Sequence, residues 1–339
     1  MILFVAIRYS PFVRSDLQML ERHFEVRCFR YAPSRRLIRN LWNQFALFFW
    51  LARHILKARA VFLWFADYHT LLPVLFSRLF GRLSLLILGG YDVNTLPEIG
   101  YGALLNPVRA FFVRQSIRHA DCVVPVDPSL AAAAWRRVPR LRGSVEAVPT
   151  GYDTAFWSRV SNKDDCVLTV GHFDSRQTWI LKGVDLFLET ARRLPKHRFV
   201  IAGVDPHRFS DNAWPSNVNV LPMQSPSQLR SLYSRAKVYA QFSMTEGLPN
   251  AVCEAMLCEC IPVGSAVGGI PAAVGSSGFL LRTRDADEAA RLIRQALNAP
   301  SSLGKSARRR AVQLFRMELR ERAIVNRIRS LRPGLSGKP

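Results

Sequence analysis

The chain has 339 residues, 49% of them hydrophobic and 21% charged, which excludes a disordered protein and allows two domains with separate cores. Its 47 Lys and Arg against 25 Asp and Glu leave a net charge of +22, spread evenly: residues 1–150 hold 20 basic and 9 acidic groups, the remainder 27 and 16, so each part carries +11. Such a field favours anionic substrates, polyanions and acidic membrane surfaces over basic partners.

The opening MILFVAIRYSPF has an apolar run too short for a signal peptide and no basic segment before it, and reads as a first strand. Apolar runs at 1–7, 24–31, 60–66, 83–90 and 122–127 have strand length and β-branched or aromatic content, with helix-length segments between them. That alternation predicts a doubly wound parallel sheet. One intervening segment, LWNQFALFFWLA (41–52), is apolar and aromatic but about a dozen residues long, short of the roughly 20 needed to span a bilayer. Flanked by Arg35, Arg36, Arg39, Arg53, Lys57 and Arg59, it suits either a helix lying in an anionic membrane surface or a helix packed on the sheet.

Pro, Gly and polar residues cluster over 149–161 and mark a domain boundary, after which the rhythm restarts. Strands are expected at 166–172, 197–203, 217–221, 237–242 and 260–264, with helices near 181–194 and 226–236 and one opened by Pro249. The division is therefore 1–150, 151–310 and a basic C-terminal helix and tail over 311–339. In the last segment Leu314, Phe315, Leu319, Ile324, Ile328 and Leu331 are spaced for one helix face. Six cysteines without paired CxxC clusters argue against zinc and fit small buried hydrophobes in a reduced, cytoplasmic protein.

The stretch TEGLPNAVCEAMLCECIPVGSAVGGIPAAV (245–274) carries Glu246 in a glycine-containing loop and Glu254 inside the following helix. A helix N-terminus beside a glycine offers free N–H groups to an anion, and carboxylates accept from sugar hydroxyls. The pair suits a ligand bearing phosphate and hydroxyls together, such as a sugar nucleotide, although a glutamate near a helix start is favoured by the dipole in any case. Upstream, Arg176 lies in the loop after the VLTVGHF strand and Lys182 precedes Gly183 at a helix start. These are ordinary solvated basic residues, or cations placed at the carboxyl end of a parallel strand to neutralise a diphosphate.

The run EGLPNAVCEAM, the Pro262 strand and GGIPAAVG resemble the E-x7-E signature of glycosyltransferase family 4, the retaining enzymes of the GT-B fold, and VLTVG, LKGVDLFLETARRLP and FVIAG extend the similarity over most of 149–300. The resemblance implies two Rossmann-like doubly wound parallel-sheet domains facing a cleft, the first binding the acceptor and the second the donor, with the C-terminal helix returning to the first domain. It implies that Glu246 contacts the donor sugar, that the chain at Gly247, Leu248, Pro249 and Asn250 lies along the donor, and that Glu254 accepts from the ribose. Lys182 and Arg176 then face the leaving diphosphate. Relatives often carry arginine directly after the strand glycine, where this chain has His172, and a histidine loop after the fourth strand, where it has GGYDV. Asp92 is the local substitute for that histidine, and His69 of FADYHT stands on the same side of the sheet as a catalytic or acceptor-binding candidate.

The expected activity is metal-independent, retaining transfer from a nucleoside-diphosphate sugar, with no cofactor, to a glycan or lipid-linked acceptor in cell-surface polysaccharide or glycolipid synthesis. The place expected for it is the cytoplasm, peripheral at the inner membrane, where an anionic surface is a partner. Rivals are another GT-B sugar-nucleotide enzyme such as an epimerase, and a non-enzymatic polyanion-binding protein. Specific nucleic-acid binding is not expected, since no reader motif accompanies the charge, and the absence of GxGxxG after the first strand disfavours a dinucleotide dehydrogenase.

Overall fold

The computed structural model describes residues 1–34, 36–205, 209 and 214–330. The chain divides into two units, one formed by Met1–Gly151 with the segment from Glu318, the other by Tyr152–Met317. The sequence limits of 150 and 310 thus move to 151 and 317. The second moves because the helix Ser301–Phe315 stays with unit 2, packed against the helix Asn250–Leu257.

Unit 1 contains β1 (Ile2–Ala6), β2 (Val26–Arg30), β3 (Ala60–Trp64), β4 (Leu83–Leu88), β5 (Cys122–Pro125) and β6 (Ser144–Val145). All pair in parallel, in the order β2-β1-β3-β4-β5-β6. The interior strands β1, β3, β4 and β5 are buried along their whole length, which is why they read as apolar runs, broken only by Ser84 in β4, instead of alternating. At only two residues, β6 offers no run to recognise.

Unit 2 contains β7 (Asp164–Phe173), β8 (Arg198–Val204), β9 (Val218–Leu221), β10 (Ala236–Gln241), β11 (Ile261–Ser265) and β12 (Phe279–Leu281), in the order β12-β11-β10-β7-β8-β9. Its core joins Val167, Phe199, Ile201 and Val238 from the sheet to Phe187 and Ile293 from the helices. The three-residue β12 went unrecognised in the sequence for the same reason as β6. The helix expected near 181–194 is Val184–Arg193, and a separate short helix, Arg176–Leu181, precedes it, the two parted at Gly183. Gly183 has φ of 72°, and a Cβ there would lie 2.0 Å from the Phe242 carbonyl oxygen, so the break requires glycine.

The single C-terminal helix of the sequence reading is also two, Ser301–Phe315 and Met317–Ser330. Arg316 between them is extended, and Tyr152 pairs with the chain there, donating to Phe315 O (2.8 Å) and accepting from Met317 N (3.1 Å). The interruption resets the helical phase, so Phe315, Ile324 and Ile328 are buried whereas Leu314 is exposed; Leu331, the basic tail beyond it and Arg35 lie outside the described residues. The last helix belongs to unit 1. Its Arg320, 2% exposed, makes a bidentate pair with Asp16 (2.6 and 2.7 Å) and donates to the carbonyls of Val148 and Pro149 (2.7 and 3.0 Å). Trp64 Nε1 donates to the same carboxylate (2.9 Å).

Candidate functional site

In unit 2 the strands β7 and β10 lie side by side, and a parallel sheet sends both chains out at the same edge. After β7 comes the helix Arg176–Leu181, started by a capping box between Ser175 and Thr178 and ended by Lys182. After β10 the chain runs from Gln241 through Ser243 to Glu246, tied to the first loop where Met244 N donates to Leu181 O (2.8 Å). The result is a knot around one carboxylate oxygen. Glu246 Oε1 accepts from Lys182 Nζ (2.6 Å), Gln241 Nε2 (2.5 Å) and Ser243 Oγ (2.8 Å). Gln241 is held in turn by Tyr239 Oη, 3.1 Å from its Oε1.

The two ends of the ion pair differ in exposure. Glu246's side chain is 10% exposed and Lys182's 33%, so the ammonium stands at the outer side of the knot. Among the described residues nothing bonds Glu246 Oε2, which leaves one oxygen of an otherwise fixed carboxylate available to a ligand. Beneath the loop lies the glycine pair: Gly269 N donates to Gly247 O (3.0 Å), and Gly268, at φ of 53°, lies so close that a Cβ would come within 2.0 Å of Glu246 O.

Gly247, Leu248 and Pro249 are buried, and Pro249 is the residue capping the helix Asn250–Leu257, one position before the place expected for it. Asn250 Oδ1 accepts from Tyr152 Oη. One turn further, Glu254 Oε2 accepts from Tyr233 Oη (3.1 Å). Part of Glu254 reaches solvent, yet burial pushes its carboxyl up to about 8, against the downward pull of the tyrosine hydrogen bond. Burial thus favours the neutral form of Glu254 near neutral pH.

Arg176 is exposed on the first turn of a helix and not in an extended loop, because the capping box starts the helix earlier than the sequence pattern indicated. His172 faces Asp174 (3.2 Å) and is exposed. Neither touches the Lys182–Glu246 pair. Gln241 and Ser243, which fix Glu246, carried no signal in the sequence, since they sit at the end of a strand whose neighbours are apolar.

In unit 1 two candidates take places other than those expected. Asp92 is fully buried, and its oxygens accept from the backbone N–H of Ala66 (3.3 Å), Gly89 (3.2 Å) and Gly90 (2.8 Å), so it ties the loop after β3 to the loop after β4. Burial raises its carboxyl to about 6 despite those donors. His69 is also fully buried, with Nε2 3.2 Å from Trp64 O, and burial lowers it to about 4, so it is neutral. Both side chains are thus turned into the protein in this structure, Asp92 onto loop N–H groups and His69 onto the Trp64 carbonyl. The part-exposed Arg109 pairs with the buried Asp67 at this edge of unit 1. Arg109 Nε lies 3.1 Å from Asp67 Oδ1 and its Nη1 donates to Tyr91 Oη (2.8 Å), with the guanidinium 5.2 Å above the Tyr68 ring. Asp67 was within the FADYHT motif; Arg109, on the helix Pro107–His119, had nothing to mark it.

Residues 164–299, which contain the whole of this knot, match the family model described as Glycosyl transferases group 1. That segment is similar to the group 1 glycosyl transferases. The chain is 34% identical over 147 residues to a D-inositol 3-phosphate glycosyltransferase of Mycolicibacterium smegmatis, covering 39% of this chain and 34% of that protein. It is 26% identical over 161 residues to one of the subunits of the phosphatidylinositol N-acetylglucosaminyltransferase of Arabidopsis thaliana, covering 44% of this chain and 36% of that one. The matched segment thus spans about a third of the length of these curated relatives.

Structural likeness extends over the whole fold. Sucrose-phosphate synthase from Thermosynechococcus elongatus superposes with a TM-score of 0.78 at 18% identity, covering 97% of this chain and 98% of that one. Anabaena HepE, solved in complex with UDP and glucose, gives 0.74 at 14% identity, covering 97% and 99%. The fold is GT-B, as the two six-stranded parallel sheets and helical C-terminus also indicate.

Proposed function

We propose that the protein is a glycosyltransferase that moves a sugar from a nucleoside-diphosphate sugar to a glycan or lipid-linked acceptor, with retention of configuration and without a metal ion. The observation that carries this reading is the Lys182–Glu246 pair, a cation and a fixed carboxylate at the carboxyl edge of β7 and β10. In the proposed reaction Glu246 Oε2 accepts from a hydroxyl of the donor sugar, while Oε1 stays anchored by Gln241 and Ser243. Lys182 turns from Glu246 to the diphosphate as the glycosidic bond breaks and negative charge gathers on the leaving oxygen. That supply of positive charge supports the metal-free reading. The diphosphate takes the acceptor proton on the face it leaves, which preserves configuration, and Glu254 holds the ribose.

Donor binding is assigned to unit 2 and acceptor binding to unit 1, where the Asp67–Arg109 pair offers an acceptor and a donor to hydroxyls. The setting proposed is cell-surface polysaccharide or glycolipid synthesis, in the cytoplasm and peripheral at the inner membrane. The test is a panel of sugar nucleotides scored by thermal shift, followed by a product assay with the best donor. Stabilisation by one donor family with release of nucleoside diphosphate supports the proposal; no response to any sugar nucleotide refutes it.

A further inference from the structure

Unit 1 carries a broad apolar surface on one side of its sheet. The crossovers from β2 to β3, β3 to β4 and β4 to β5 all step the same way across the strand order, so right-handed connections put the helices Leu37–His54, Leu71–Leu79 and Pro107–His119 on one face. They adjoin: Phe48 meets Phe76 edge to face at 5.3 Å, and the second helix packs along the third. The first helix has two apolar sides. It buries Leu47 and Leu51 against the unit and turns outward Ile38, Trp42, Phe45 and Phe49, exposed by 68, 70, 59 and 67%. Their steps of four, three and four residues keep them in a single stripe. Leu75 and Leu79 extend it on the second helix, Val108 and Phe111 on the third. Scattered single exposed apolar residues are ordinary; a contiguous face of this kind marks an interaction surface.

The charges on these helices select the partner. None of the three contains Asp or Glu, whereas Arg36, Arg39, Arg53, Arg78 and Arg114 are exposed on or beside them. We infer that this three-helix face docks on an anionic lipid bilayer, with the Ile38–Phe49 stripe seated at head-group depth and the arginines on the lipid phosphates. A second copy of the chain is the poorer occupant, because a two-fold contact would set these uniformly basic surfaces against each other. No described helix is long and apolar enough to cross a membrane, so the contact is made from the surface. This deepens the peripheral placement proposed above, and it does not depend on the transfer reaction.

The experiment is co-sedimentation of the full chain with vesicles of equal parts phosphatidylcholine and phosphatidylglycerol, and with phosphatidylcholine alone, at low salt. The wild type is expected in the pellet with the anionic vesicles only. The triple variant Trp42→Ser, Phe45→Ser, Phe49→Ser, whose replaced side chains are exposed, should lose at least about tenfold in partitioning. It should keep the wild-type circular dichroism and the thermal shift with whichever nucleoside diphosphate stabilises the wild type. Failure of the wild type to bind, equal binding to both vesicles, or undiminished binding of the triple variant would each overturn the inference. So would a wild-type dimer in light scattering that the triple variant dissolves, since the face would then be a self-contact. A wild type that binds vesicles but responds to no nucleoside diphosphate or sugar nucleotide would instead fault the transferase reading alone.

Discussion

Replacing Lys182 by Ala separates catalysis from folding and from binding. In the free protein Lys182 is one of three donors to Glu246 Oε1, and its removal leaves Gln241 and Ser243 in place. With a third of the lysine side chain exposed, the pair contributes at most about 1 kcal/mol to stability, so the variant should fold with little change in Tm. The catalytic cost is expected to be larger. A fixed cation or donor aimed at charge that develops only in the transition state contributes about 2.7–4 kcal/mol, which is roughly 10²- to 10³-fold in kcat. UDP or another cognate diphosphate already carries its charge when bound, so some affinity is lost too, by a smaller factor. Steady-state release of nucleoside diphosphate gives kcat, and titration with the unreactive diphosphate gives Kd. Equal factors in kcat and Kd would mean that Lys182 binds ground and transition states alike, and the proposed role in departure would be refuted.

Arg320→Met should destabilise unit 1 by about 3–5 kcal/mol, because it strands the buried Asp16 carboxylate, and adding Asp16→Leu should restore part of the loss; calorimetric melting of single and double variants checks this, and equal losses would count against a buried-charge cost. For Glu254 the folded carboxyl titrates at about 8 against a usual value of 4.5, so between those pH values the folded chain holds a proton that the unfolded chain has released, and stability falls as pH rises through that window. Glu254→Gln should remove that decline, giving a Tm-versus-pH curve that diverges upward from wild type toward pH 8; parallel curves would show the carboxyl is not buried in solution. Transfer activity should survive excess chelator, and a loss reversed by manganese or magnesium would contradict metal independence. Glu246→Ala should abolish transfer with the fold retained, measured by product formation beside an unchanged melting profile, and wild-type turnover would remove its role.

What could be read in the sequence was set by whether the physics is local. Interior strands such as β1 and β3 announce themselves because burial on both faces leaves no polar position, and the glutamates of 245–274 stand out because loop and helix chemistry fall within one short stretch. Gln241 and Ser243 could not be singled out, since their value arises only when β10 is laid beside β7 and Lys182 arrives from 64 residues away. The burial of His69 and Asp92 was not legible for the opposite reason. Both follow a strand, but whether such a side chain points to solvent or back into its own loop depends on backbone partners, here the N–H groups of Ala66, Gly89 and Gly90 for Asp92 and the Trp64 carbonyl for His69. The aromatic segment 41–52 left core and surface open because it serves both, Leu47 and Leu51 inward and Trp42, Phe45 and Phe49 outward.

The pairing of Asp16 with Arg320 also sets an order of events in synthesis. The two residues are 304 positions apart, and the whole of unit 2 is encoded between them. Domains generally form as units while the chain emerges from the ribosome, so unit 2 has all of its residues available before unit 1 does. Until the last helix appears, the first sheet waits with Asp16 held only by Trp64 and with the carbonyls of Val148 and Pro149 lacking the guanidinium that later serves them. The nascent N-terminal half is therefore an unfinished structure for most of translation, and a chain stopped short of Arg320 would leave a complete second unit attached to a first one that cannot close its core.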